Sequence, residues 1–233
     1  MAGMFDLKKL IAEAVGTFTL IFAGCGSVML FTANDRVTLV GVALAHGLAI
    51  GLMASALGAV SGAHFNPAVT IGMWVTRRIE TLAGAGYIAA QLIGAGLAAA
   101  ALATLFPEGL RSAATLGTPT LGAGMDFARG VGLEAILTFF LVTVIFGTAV
   151  DARAPKLGGL AIGLTITMDI LIGGPLTGAA MNPARAFGPA LLTGHWTDHL
   201  VYWIGPIVGA VAASLLYHYL FIEEAEPPLV PAR

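Results

Sequence analysis

The sequence predicts an all-α membrane protein with six transmembrane helices and two re-entrant half-helices, arranged as an inverted repeat. Three observations carry this. Apolar residues make up 58% of the 233-residue chain and charged residues only 10%, against about 25% charged in a soluble domain. Six long runs are poor in charge. An Asn-Pro-Ala triplet occurs once in each half, in HFNPAVT and again in MNPARAF.

The runs fall at roughly 10–32, 37–60, 82–106, 130–150, 157–174 and 200–222. Each approaches the ~20 residues that a helix needs to cross about 30 Å of hydrocarbon. A buried soluble core could supply one or two such runs, not six in so short a chain. The first begins after Lys8 and Lys9 and is long enough to span by itself, so it reads as a span and not as a cleavable leader.

The halves match in three blocks. IAEAVGTFTLIF resembles GLEAILTFFLVT and pairs Glu13 with Glu134; HFNPAVTIG pairs with AMNPARAFG; YIAAQLIGA pairs with YWIGPIVGA. The offsets of 121, 116 and 115 residues differ only by loop length. Repeat 1 covers about 7–106 and repeat 2 about 129–222, one membrane domain in all, followed by a polar, Pro-rich tail at 223–233 that reads as flexible. Three spans per unit is an odd number, so the second unit enters the membrane from the opposite face.

Asn is a strong N-cap, and Pro suits the first helical position because it lacks the N–H that would be unpaired there. A single Asn-Pro-Ala usually marks no more than a turn followed by a helix. Here Asn66, Pro67 and Ala68, and again Asn182, Pro183 and Ala184, open helical stretches of only about ten residues, 67–77 and 183–192, or ~15 Å. That is half a bilayer. The non-helical backbone before each triplet is tolerated at membrane depth only inside protein or beside a wet cavity.

Two half-helices entering from opposite faces meet N-terminus to N-terminus. Each brings roughly half a positive charge, which opposes cations at the midplane. With its oxygen used as cap, each Asn is expected to keep its NH₂ free for the cavity. The extended backbone before it would offer carbonyl acceptors: Gly62, Ala63, His64 and Phe65 on one side, Gly178, Ala179, Ala180 and Met181 on the other. Such a track suits small neutral hydrogen-bonding solutes, and its electrostatics exclude cations and disfavour protons. Arg185 lies one helical turn after Asn182 on the same face, whereas Val69 takes that place in the first repeat. An intramembrane Arg is expensive and functional by default.

These residues resemble the aquaporins of the major intrinsic protein family over nearly the whole chain, from Glu13 to Tyr202 and Trp203. The resemblance implies an aquaporin-like bundle assembled as a homotetramer with one pore per subunit. It also implies a selectivity filter at four positions: twenty residues before Asn66, then twelve before, three before and three after Asn182. These are His46, Ile170, Ala179 and Arg185. Water-strict members are similar to Phe, His, a small residue and Arg at those places. The His–Ile–Ala–Arg set instead resembles the plant vacuolar-membrane aquaporins and their ammonia-permeable animal relatives. The alternative is the glycerol-conducting branch of the family, whose members resemble Asn-Pro-Ala-Arg-Asp; here Ala186 follows the Arg.

By the same resemblance Glu13, Glu134 and Gln91 belong to a scaffold that holds the re-entrant loops. His64 is expected to brace its loop. Asp169 would change the filter's charge were the register slipped by one; the flanking ILIGG favours a protein-facing or near-surface position. Cys25, the single cysteine, is placed away from the filter and excludes an internal disulfide. No nucleophile–base pair, metal-ligand spacing or basic patch points to an enzyme, a metal or other cofactor, or nucleic acid. A secondary transporter, which inverted repeats also build, would need pore-facing carboxylates to couple an ion. A poorly conducting junctional protein is a third reading. The more basic loops contain Lys8 and Lys9, Arg77 and Arg78, and Arg153 and Lys156, against Arg36, Arg111 and Arg129 on the other side. They place both termini in the cytoplasm of a multi-pass cell-membrane protein.

Overall fold

The computed structural model describes residues 6–34, 37–155 and 157–222. Arg36, Lys156 and the tail at 223–233 lie outside the described residues.

Nine α-helices appear among them. They are α1 Leu7–Asn34, α2 Leu39–Ser61, α3 Pro67–Val75, α4 Thr81–Leu105, α5 Glu108–Ala113, α6 Phe127–Ile145, α7 Leu160–Thr177, α8 Pro183–Thr193 and α9 Val201–Leu216. Short π turns extend α6 to Val150 and α9 to Phe221. Six helices are long and apolar enough to cross a membrane: α1, α2, α4, α6, α7 and α9. The two remaining apolar helices, α3 and α8, have 9 and 11 residues and so reach about 14 and 16 Å. The surface helix α5, with its Arg111–Glu108 ion pair, was not anticipated from the sequence; at 6 residues it is too short to register as a period.

Each short helix starts where its triplet says it should. Asn66 caps α3 by accepting from the Ala68 N–H, Asn182 caps α8 by accepting from Ala184 and Arg185, and Pro follows each cap. α2 and α7 end alike, on Gly62 at φ 87° and Gly178 at φ 83°, a left-handed conformation that costs glycine nothing.

Packing follows from small residues at crossings. α1 packs on α4, α6 on α9 and α2 on α7. At Gly94 an added Cβ would sit 2.2 Å from the Ala14 carbonyl oxygen, and at Gly209 it would sit 2.0 Å from that of Ala135. These two crossings occupy corresponding places in the two halves. Helices in lipid associate through such close approach and dispersion, since the bilayer is as apolar as leucine. α3 rests on α9 and α8 on α4, so each half-helix is cradled largely by a helix of the other half. Leucines such as Leu44, Leu48, Leu52, Leu160 and Leu164 stay exposed on the outside, as a lipid-facing surface allows.

One end of the bundle is tied by polar contacts. Arg153 is bidentate to Asp151 and also bonds the Phe221 carbonyl. That guanidinium holds the Asp151 carboxyl down at about 2. Arg78 stacks over the Phe146 ring at 5.5 Å.

Candidate functional site: a narrow passage between two half-helices

The two half-helices meet at their caps. Asn66 Nδ2 donates to the Met181 carbonyl at 2.8 Å, and Asn182 Nδ2 donates to the Phe65 carbonyl at 2.9 Å. The clasp is reciprocal, and it corrects the sequence expectation in two ways. One N–H of each amide is committed across the junction, which leaves one for the cavity. Likewise Phe65 and Met181, placed by sequence among free carbonyls, already accept one bond each.

The backbone before each cap is not the extended strand expected from sequence. Gly62, Ala63 and Phe65 have positive φ (87°, 53° and 49°), as do Gly178, Ala179 and Met181 (83°, 43° and 50°). Each non-glycine residue in this region costs roughly 1–2 kcal/mol. What holds the strain is a buried carboxylate in each half. Glu13 accepts from Ser61 Oγ (2.6 Å), from the His64 and Phe65 N–H groups (3.0 and 2.7 Å) and from Gln91 Nε2 (2.8 Å). Glu134 accepts from Thr177 Oγ1 (2.7 Å) and from the Ala180 and Met181 N–H groups (2.9 and 2.6 Å). Both glutamates are fully buried.

Tyr87 and Tyr202 complete the arrangement, their hydroxyls donating to the Ser61 and Thr177 carbonyls. Gln91 also bonds Thr70, whose hydroxyl lies 3.1 Å from His64 Nδ1. Pro206 stands where the second half would need a glutamine, so the two networks differ there. Ser61, Thr177 and Tyr87 were missed from sequence; the first two are legible in retrospect as hydroxyls immediately before each loop glycine.

Three cavities lie in series. The central one offers only about 30 Å³ to the centre of a water molecule, enough for a few waters at ~10–15 Å³ each. The vestibules at its two ends offer about 290 and 570 Å³. His46, Ile170 and Arg185 belong both to the central wall and to the smaller vestibule. Ala63, His64, Val69, Ile145 and Ile162 join the central cavity to the larger one. Asn66, Asn182, Ala179, Ala180 and Met181 line the middle, with Leu20, Ile50, Leu141 and Ile166 as apolar walls. Gly62 and Gly178 lie out in the vestibules. Phe65 is fully buried, and its ring sits where a Cβ on Gly16 would be.

Arg185 is 2% exposed. Its Nη1 donates to the Gly117 carbonyl at 2.8 Å, and among the described residues its Nε has no hydrogen-bond partner. Gly117 belongs to a left-handed turn in which Thr115, Leu116 and Gly117 all have positive φ. Sequence reading did not find it, because a backbone carbonyl leaves no residue-type signal. Cys25 Sγ contacts the same carbonyl at 3.7 Å. The cysteine is therefore one group removed from Arg185, which corrects its placement away from the filter. It is nevertheless fully buried and on the wall of none of the three cavities. We expect mercurials to inhibit weakly, read as osmotic water flux before and after treatment. Strong block that a thiol reverses and Cys25→Ser removes would show that reagent reaches it.

His46 is 4% exposed and its Nδ1 lies 2.9 Å from the Val42 carbonyl. That contact requires the proton on Nδ1 and leaves Nε2 as an acceptor. Asp169 is fully buried within α7 and, among the described residues, neither carboxylate oxygen has a hydrogen-bond partner. It lies off the central wall while Ile170 is on it, so the register is unslipped.

Half-helices clasped at the midplane of a six-span bundle, with a passage threaded past their caps, define a re-entrant-loop membrane channel. The chain belongs to the major intrinsic protein family, whose model matches residues 3–217. It is 45% identical to Aquaporin TIP4-4 of Zea mays over 228 residues, 94% of this chain and 88% of that one. It is 46% identical to Aquaporin NIP1-1 of Oryza sativa subsp. japonica over 216 residues, 92% of this chain and 74% of that one. Among solved structures, that of the aquaglyceroporin from Plasmodium falciparum superposes with a TM-score of 0.83 at 26% identity, covering 92% of this chain and 96% of that one. Members of the family are multi-pass membrane channels, not enzymes.

Proposed function

We propose that the protein is a passive water channel that also passes ammonia and hydrogen peroxide and excludes protons and ions. The observation that carries this is the central cavity: about 30 Å³ of space closed at one end by His46, Ile170 and Arg185. A solute there meets donors from Arg185 and the remaining Asn N–H groups, loop carbonyls of Ala63, His64, Ala179 and Ala180 as acceptors, and apolar walls elsewhere. Water, ammonia and hydrogen peroxide both donate and accept, so they exchange bulk hydrogen bonds for these. An ion must shed its hydration shell, and no carboxylate among the described wall residues compensates a cation. The half-helix N-termini and Arg185 add like-charge repulsion.

His46, Ile170, Ala179 and Arg185 form the filter in this reading, the Asn-Pro-Ala caps form the midplane barrier, and Glu13, Glu134 and Gln91 support the loops. Repeat 1 (about 7–106) and repeat 2 (about 129–222) form one membrane domain. A homotetramer in the cell membrane with both termini cytoplasmic completes the proposal; small residues at helix crossings and the distribution of basic residues support it.

Glycerol conduction is the second reading, favoured by the likeness to an aquaglyceroporin and by the apolar Ile170 beside Arg185. Against it stands Ala186, buried with Val201 and Tyr202 in an apolar cluster where an Asp would lack water. Stopped-flow measurements on proteoliposomes test all of this together. Water, ammonia and peroxide fluxes should exceed those of empty vesicles, with no added conductance and little glycerol uptake. Ammonia and peroxide fluxes equal to empty vesicles would reduce the protein to a strict water channel, and rapid glycerol uptake would favour the second reading.

A further inference from the structure

The imidazole of His46 is set from behind by α1. A Cβ built on Gly24 would lie 2.4 Å from its Nε2, 2.5 Å from Cδ2 and 2.8 Å from Cε1. The far edge of the ring therefore rests on the bare backbone of Gly24, in space that any other residue would fill. The near edge is held by the bond from Nδ1 to Val42 on the ring's own helix. With one edge tethered and the other against α1, the open space beside the ring is the channel, which His46 borders at both the central cavity and the smaller vestibule.

We propose that Gly24 sets the bore of the filter, as a positioning residue acting through His46. The proposal rests on the reading of His46 as a filter wall. A methyl group at Gly24 obliges the ring to move by about 1 Å to regain ordinary van der Waals contact, and the displacement is toward the lumen. In a cavity of about 30 Å³, so small a shift changes which solutes fit. One methylene alters selectivity by about tenfold or more in a well-packed site.

The test compares wild type, Gly24→Ala, His46→Ala and the double variant in proteoliposomes, by osmotic water flux and urea uptake. We expect G24A to lower water flux about tenfold, H46A to raise urea uptake, and G24A/H46A to match H46A in both. That rescue separates an effect through the ring from general damage to the α1–α2 contact, which removing the ring would not repair. Recovery of G24A protein only in the double variant would equally support the proposal. Wild-type water flux in G24A, a double variant as slow as G24A, or loss of folded protein in both would overturn it. If H46A itself changes neither flux, the filter reading fails, and the proposal falls with it.

Discussion

Glu134→Ala is expected to abolish conduction, with water flux in proteoliposomes falling to that of empty vesicles. The carboxylate accepts from Thr177 Oγ1, Ala180 N and Met181 N at 2.6–2.9 Å in a fully buried site. Truncation leaves three donors without partners at about 1–3 kcal/mol each. The sum, roughly 3–9 kcal/mol, rivals the entire stability of many domains, about 5–15 kcal/mol. It falls where Ala179 and Met181 already hold left-handed φ, so the loop has reason to leave its conformation. When it does, the Met181 carbonyl no longer meets Asn66, and the clasp between the half-helices opens. Glu134→Gln retains an acceptor oxygen and should lose less. Hydrogen exchange should show the amides at 178–182 deprotected in the Ala variant. Wild-type flux through Glu134→Ala would mean that the loop is held by something other than this carboxylate. Glu13→Ala should act in the same direction on the first loop.

Arg185→Val should keep water flux and introduce a leak of protons and small cations. A unit charge about 4 Å from a passing cation opposes it by roughly 4 kcal/mol at an effective dielectric constant near 20, which corresponds to about a thousandfold in occupancy. The half-helix N-termini remain and keep part of the barrier. We therefore expect proton or cation conductance to rise on the order of 10²–10³-fold, measured as dye-reported leak in the same vesicles that report water flux. Urea should also enter, because the guanidinium leaves space beside His46 and Ile170. Unchanged conductance with normal water flux would place ion exclusion wholly at the clasped Asn caps. The Gly117 carbonyl keeps only the weak Cys25 Sγ contact in this variant. A comparison with Arg185→Lys, which retains a charge without the planar fork, separates loop displacement from loss of charge.

The extent to which these sites were legible depended on how local their causes are. The spans follow from solvent alone: a helix in hydrocarbon needs about 20 apolar residues wherever it packs. The half-helices follow from capping chemistry within three residues of Asn66 and Asn182. The pairing of Glu13 with Glu134 could be read because duplication repeats a carboxylate where lipid penalises one. His46, Ile170 and Ala179 are different. Nothing in their own segments marks them, and they were named only through likeness to a family.

Sequence by itself determined the solvent, the number of crossings, the two broken helices and the position of the buried arginine. Each is a property of a contiguous segment: its hydropathy, its cap or the cost of its charge. Only the tertiary structure decided that each Asn amide reaches a carbonyl across the midplane, that Gly117 receives Arg185, that Cys25 shares that carbonyl, and that Asp169 faces protein. These contacts join residues far apart in the chain, and several end on backbone atoms that every residue carries alike. Residue type cannot announce them; the folded path of the chain brings the partners within hydrogen-bonding distance.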